Sequence, residues 1–249
     1  MKMVLEKSTE FQKSIEAISA LIDEAEFVVN ENGFALKAAD PSQISMVDYF
    51  IGKEAFKEFD VKEEIKIGVD LDYLRQVMSR ASASNELTLE TIKDNTELSI
   101  LFSGESKRKF EMPLLDLSST IGELPNPKIN ETSKAIVEAS ILQDGFKDAL
   151  LVSSHVSIGV DGNKFAIKAH GAKGDFVLGM EKDNKHLTEL SSTEEGLSTF
   201  PLSYLQDMLK GTFGNTMVCL RMKKDSPMEL SYNIGRAEIK YFLAPRIEG

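Results

Sequence analysis

Three histidines, one cysteine and the carboxylate pair Asp70 and Asp72 are the first residues of this chain to weigh for chemistry. A histidine ligates a metal or carries a proton when a second ligand stands at a short fixed spacing from it. His155, His170 and His186 have no such neighbour: the sequence contains no HExxH and no CxxC. Asp70 and Asp72 could act as a general acid–base pair. They stand at the start of DLDYLRQVM, however, where an aspartate more simply accepts the free amides of a beginning helix. Cys219 sits among Met217, Val218 and Leu220, the surroundings of a small core residue. A single cysteine excludes an intrachain disulfide and fits a reducing compartment. There is no GxxxxGK[ST] phosphate loop, no GxGxxG after a strand and no nucleophile elbow. No catalytic residue, metal or cofactor is therefore expected.

The question becomes what such a chain positions instead of a reactive centre. Its 249 residues are 42% hydrophobic and 28% charged, enough to bury one large core or two smaller ones. The N-terminus lacks the apolar run of a signal peptide, and no segment approaches the roughly 20 apolar residues of a membrane span. A cytoplasmic or nuclear protein without a membrane is expected. A net charge of −11 argues, taken alone, against nucleic acid, because phosphates are bound by an excess of Lys and Arg.

The chain says the same thing twice. FALKA at Phe34–Ala38 returns as FAIKA at Phe165–Ala169, 131 positions later. At the same offset VDLDYLRQVMSRA (69–81) matches FPLSYLQDMLKGT (200–212), each a helix start followed by apolar residues at helical spacing. Upstream of each copy lies another amphipathic stretch: 8–25 with Phe11, Ile15, Ile18 and Ile22 on one face, and 141–155 with Leu142, Phe146, Ala149 and Leu150. A gap of four residues is expected between these two helices in the alignment. Elsewhere the period falls to two, as at Leu98, Ile100 and Phe102, at Phe110, Met112 and Leu114, and at Met228, Leu230, Tyr232 and Ile234. Short turns at ENG, KDN and DGN imply antiparallel meanders. The fold class is α+β, with two duplicated domains, each a sheet covered on one face by two helices. SSTIGELPNPKINETS breaks the pattern with two prolines, so the domains are placed at 1–117 and 134–249 with a connector at 118–133.

LIDEAEF followed by GFALKAADPSQISMVDY (21–49), IGVDLDYLRQVMSRA (67–81) and YFLAPRIE (241–248), in this order with both repeats and the connector, resemble the sliding clamps of DNA replication. The likeness is to the archaeal branch of the proliferating cell nuclear antigen family, and it covers the whole chain. It implies a DNA clamp fold of two copies per subunit, with three subunits closing head to tail into a ring around duplex DNA. The closing strands would be KRKFEMPL (107–114) and GDFVLGM (174–180), using Lys109, Phe110 and Met112 against Phe176, Val177 and Leu178. DNA would meet Lys13, Arg75, Arg80, Lys147 and Lys210 on helix faces, with Lys107 and Arg108 nearby. Lys13 and Lys210 fall on positions that are basic in the family; Arg75 and Arg80 fall beside such positions. The same helices carry Glu10, Glu16, Asp72, Asp144, Asp148 and Asp207, so the lining is less basic than the resemblance alone implies.

The resemblance also implies a hydrophobic pocket for short peptide motifs of DNA polymerases, flap nucleases and ligases. It would use Gln43, Ile44 and Met46, then Ile121, Leu124 and Pro125 of the connector, then Pro227, Phe242, Ala244, Pro245 and Ile247. The backbone of LAPRIE would pair with an incoming extended segment. The connector is poor in acidic residues, which points to its own partner preference. With no ATPase motif, opening and closing would fall to a separate clamp loader ATPase. Two alternatives stay open: a subunit of a mixed, heterotrimeric clamp, and a two-domain α+β enzyme with an interdomain cleft. The enzyme would call for a cofactor loop or clustered carboxylates at the domain junction, which the sequence lacks.

Overall fold

A computed structural model of the chain describes residues 1–117, 124 and 129–246. The chain forms two compact units: Met1–Pro41, Val47–Leu124 and Asn233–Ile239 in one, and Ser42–Met46, Pro125–Tyr232 and Lys240–Gly249 in the other.

The first unit runs β1 (Lys2–Leu5), α1 (Ser8–Ile18), β2 (Glu24–Asn30), β3 (Gly33–Ala39), β4 (Ser45–Gly52), β5 (Glu58–Asp60), β6 (Ile65–Asp70), α2 (Leu71–Met78), β7 (Glu86–Ile92), β8 (Glu97–Ser103) and β9 (Lys107–Pro113). The second runs β10 (Ser133–Glu138), α3 (Ala139–Leu150), β11 (His155–Asp161), β12 (Lys164–Gly171), β13 (Gly174–Glu181), β14 (Leu187–Ser192), β15 (Gly196–Pro201), α4 (Leu202–Met208), β16 (Met217–Met222), β17 (Met228–Ile234) and β18 (Ala237–Leu243). In the first unit the strands order as β5-β1-β7-β8-β9 and β4-β3-β2-β6. In the second they order as β14-β10-β16-β17-β18 and β13-β12-β11-β15. Adding nine to each strand number of the first unit reproduces the second. The fold is α+β and duplicated, with FALKA in β3 and FAIKA in β12.

The duplication is more regular than the sequence suggests. β1 and β10, α1 and α3, β2 and β11, β3 and β12, β6 and β15, and α2 and α4 all begin 131 positions apart. The expected four-residue gap between α1 and α3 is absent: Phe11, Ile15 and Ile18 correspond directly to Leu142, Phe146 and Ala149, all buried. Even a single backbone bond repeats. The amide of Leu71 donates to Asp23 O at 2.9 Å, and that of Leu202 donates to Ser154 O at 2.9 Å.

Each unit holds two sheets where one was expected, because period-two alternation identifies a half-buried strand but is blind to which sheet it joins. Helix α2 lies against β2 and β6, and α4 against β15, while α3 touches β10 of one sheet and β11, β12 and β13 of the other. The first helix also stops seven residues short of expectation, at Ile18. Strand β2 must start at Glu24 to pair with Asp70 of β6, and that pairing overrides helix propensity. Ile22 is buried from the intervening turn. Helix α3 starts two residues early because the carbonyls of Thr216 and Gly214 take the otherwise orphaned amides of Ala139 and Ser140.

Asp70 caps α2, accepting from the Tyr73 amide at 2.9 Å. Its counterpart Pro201 makes no side-chain cap at α4. Replacing Asp70 with alanine is therefore expected to lower stability by about 1 kcal/mol in urea unfolding. An unchanged midpoint would show that the cap is redundant. Among the described residues no helix is long and apolar enough to cross a membrane.

Candidate functional site

The residues first considered for chemistry turn out to hold structure. His186 Nδ1 lies 2.6 Å from Glu138 Oε2, and the Glu138 amide donates to His186 O, so the pair pins the loop before β14 to the start of α3. The His186 ring and then the Ser140 hydroxyl hold the Glu138 carboxyl below its ordinary value. His170 contacts Asp175 on the exposed β12–β13 hairpin, and His155 lies beside the Ser154 hydroxyl at 3.0 Å. Cys219 is half-buried on β16. Among the described residues no three His, Cys, Asp or Glu side chains group as a metal site.

The cations assigned to helix faces are exposed or half-exposed, and four of them carry a carboxylate three residues away. Lys13 meets Glu16 on α1 at 2.6 Å, and Arg75 meets Asp72 on α2 at 3.0 Å. Lys147 meets Asp144 on α3 at 3.4 Å, and Lys210, just past α4, meets Asp207 at 2.7 Å. Between α3 and α4 lies a groove of about 300 Å³ lined by Phe146 and Leu209, with Gln143, Gln206, Lys147 and Lys210 around them. Such a surface can hold an anion only loosely, since Lys147 and Lys210 each already face a carboxylate.

Arg80 and Lys107 are exposed, and among the described residues neither has an ion-pair partner within 4.0 Å. Arg108 is committed elsewhere. It donates to Asn85 Oδ1 at 2.7 Å and lies 5.4 Å over the Phe102 ring, tying β9 to the loop after α2. Charge in the sequence marked Arg108 for DNA; packing gives it a job inside the chain.

β9 ends the five-stranded sheet and β13 ends the four-stranded one. On β9, Lys109 pairs with Glu111 at 2.6 Å, and that hydrogen bond, with the lysine's charge, pulls the Glu111 carboxyl below its ordinary value. Phe110 is half-buried, edge-on to Phe102, while Met112 is buried in the core of its own chain. On β13, Phe176 and Leu178 are half-buried and Val177 is 64% exposed. The two-residue hairpin that closes at Gly171 and Gly174 sets the alternation of this strand. It turns the amides of Asp175, Val177, Gly179 and Glu181 away from β12.

Helix α3 packs down on β13 at Gly145, where a Cβ would stand 3.0 Å from Leu178 Cδ1. Its last turn then presents Leu150 and Leu151 to solvent, 52% and 73% exposed. Leu150 was expected on the buried face with Ala149. One residue on is a rotation of about 100° around a helix, which carries it off that face. Leu151 is an apolar surface residue that sequence reading missed; a second leucine two positions after the last buried residue, Ala149, was its signal.

The residues assigned to peptide binding meet in part. Gln43 takes a left-handed conformation (φ 57°) just ahead of β4 and is exposed, as is Ile44 at 37%. The Ile44 carbonyl accepts the Ala244 amide at 2.8 Å, joining this turn to the end of β18. Met46 and Phe242 are 8% exposed, Ala244 and Pro245 are half-buried, and Pro227 is exposed. Leu124 is half-buried; Ile121, Pro125 and Ile247 lie outside the described residues. The Arg246 amide donates to Thr199 O at 2.7 Å. Between residues 244 and 246 no free amide is left, since Pro245 has none, so a segment pairing there would have carbonyls alone to bond.

The model of the proliferating cell nuclear antigen N-terminal domain matches residues 1–120, and that of the C-terminal domain matches residues 140–247. The DNA polymerase sliding clamp of Pyrococcus horikoshii is 33% identical over 248 residues, covering 99% of this chain and 98% of its own. That of Methanococcus maripaludis is 33% identical over 245 residues, 96% of each chain. Among solved structures, PCNA from Thermococcus kodakaraensis superposes with a TM-score of 0.93 at 27% identity, over 98% of this chain and 99% of that one. PCNA of A. fulgidus, solved with the C-terminal region of FEN-1 bound, superposes with a TM-score of 0.90 at 26% identity, over 100% of this chain and 99% of that one.

Proposed function

Since the chain belongs to the proliferating cell nuclear antigen family of DNA polymerase sliding clamps, we propose that three copies close head to tail into a ring around duplex DNA. The family is non-catalytic: these clamps serve DNA polymerase as processivity factors. The observation that carries the ring is the pair of outer strands. β9 and β13 each end a sheet, and β13 bears an exposed valine with amides aimed outward. Joining β9 of one copy to β13 of the next is a heterologous contact, which either closes by rotation or runs on as a filament. Closure removes the sheet edges that would otherwise invite aggregation. Leu150 and Leu151, beside β13, belong to the same proposed joint.

Three copies carry about −33, so DNA contact falls to the local cations on the helices: Lys13, Arg75, Lys147 and Lys210, with Arg80 and Lys107. These touch phosphates, which position without reading sequence. Enclosure, more than affinity, retains the ring. The second surface is the apolar turn at Gln43–Met46 with Phe242, Ala244 and Pro245, which we assign to anchor peptides of a polymerase, a flap nuclease such as FEN-1 and a ligase. A preformed groove spares the partner part of its ordering entropy. We keep the connector at 118–133 as the domain boundary, although 118–123 and 125–128 lie outside the described residues and Ser133 already opens β10. A clamp loader ATPase opens the ring, and the protein works in the cytoplasm at the nucleoid.

The test is topological. Clamp placed on nicked circular DNA by a clamp loader and ATP is expected to survive a high-salt wash and to leave once the circle is cut. Loss from the intact circle in the same wash would contradict enclosure.

A further inference from the structure

The acids on the helix faces have a regular relation to the cations beside them. Lys13–Glu16 on α1 and Asp144–Lys147 on α3 occupy the same two positions of the repeat, 131 apart, with the signs exchanged. On α2 and α4 the pairs are Asp72–Arg75 and Asp207–Lys210, and here the copies differ in place: Arg75 corresponds to Gln206, and Lys210 to Ser79. The duplication thus did not keep the positions of the cations, yet each of the four helices, counting the turn just past α4, has a cation with an acid three residues away. Exposed pairs of this kind contribute little to stability.

Resting on the DNA contact proposed above, we infer that Glu16, Asp72, Asp144 and Asp207 are built-in counterions of the DNA-facing cations. A free lysine that meets a phosphate releases one condensed cation from the duplex, and this release makes binding steeply salt-dependent. A lysine already held by a carboxylate must give that carboxylate up. The displaced acid, now beside the polyanion, takes a cation back from solution, and the net release falls towards zero. The paired cations would then grip DNA weakly at low salt and lose little of that grip as salt rises. Most of the remaining salt dependence is left to Arg80 and Lys107, which have no ion-pair partner among the described residues. The resistance that the paired cations offer to sliding would stay nearly constant across ionic strengths.

Equilibrium binding of a short linear duplex across a salt series tests this with three full-length proteins. In the first, Asp72→Asn, Asp144→Asn and Asp207→Asn free three cations; Asp70 is left to cap α2. In the second, Asp183→Asn, Glu194→Gln and Glu195→Gln make the same charge change at exposed positions away from the helices. In the third, Lys147→Ala and Lys210→Ala remove two contacts. The first protein is expected to steepen the log–log slope against salt by about 2.7 for each subunit whose three freed cations meet the duplex, at about 0.9 per freed cation, and the second by less than 1. A slope for the first that matches wild type or the second protein overturns the counterion role. If the alanine protein binds as wild type does, the DNA contact itself is wrong; if it weakens binding while the slopes agree, only the counterion role fails.

Discussion

Proline at Val177 is expected to reduce a particle of about 83 kDa, three chains of 27.6 kDa, to one of about 28 kDa. The physical reason lies in the strand order. β13 pairs with β12 through alternate residues, and the Val177 amide points to the other side. Edge strands accept proline on their free side, so the fold of the single chain should survive. Across the proposed joint the substitution removes one backbone bond, worth about 1 kcal/mol, sets the proline ring against the neighbour's β9, and loses part of the burial of a 64% exposed side chain. A combined loss of about 3 kcal/mol per joint weakens each by more than a hundredfold. A ring has three joints, and all suffer together. Valine to threonine, which keeps the branched shape, should stay near 83 kDa. A folded proline variant that also stays at 83 kDa would remove β13 from the joint.

Aspartate at Ile44 should abolish most partner binding while leaving the ring on DNA. Its side chain is 37% exposed, whereas its carbonyl bond to Ala244 depends on no side chain. Neighbouring Met46 and Phe242 are 8% exposed, and truncating them would confuse lost binding with lost core. A buried charge facing an aromatic or aliphatic anchor is expected to weaken a flap-nuclease C-terminal peptide by about 2 kcal/mol, roughly 30-fold, in calorimetry. Retention on circular DNA should not change. Undiminished peptide affinity would place the groove elsewhere.

Much of this was legible in the residues, for reasons that can be named. FALKA and FAIKA gave away the duplication because both copies keep the same strand, and the apolar spacing of Leu71, Leu74, Val77 and Met78 located a helix with one buried face. Asp70 as a cap could be read from its place one residue before that pattern. What stayed hidden depends on distant parts of the chain. Nothing near Ile18 announces that α1 must end so that Glu24 can meet Asp70, and nothing near Arg108 announces Asn85 as its acceptor. The division of the strands into two sheets per unit is likewise a matter of who pairs with whom. The candidate surfaces divided in the same way: charged residues were found by type, while their ion-pair partners three residues off were seen as a charge total and not as pairs.

The central claim is that one chain completes its sheets only against another copy of itself. Light scattering on a sizing column, at low and at moderately high salt, measures this directly. The account predicts a mass near 83 kDa under both conditions, from chains of 27.6 kDa. A mass near 28 kDa would contradict self-closure and would direct attention to paralogous subunits as the missing neighbours.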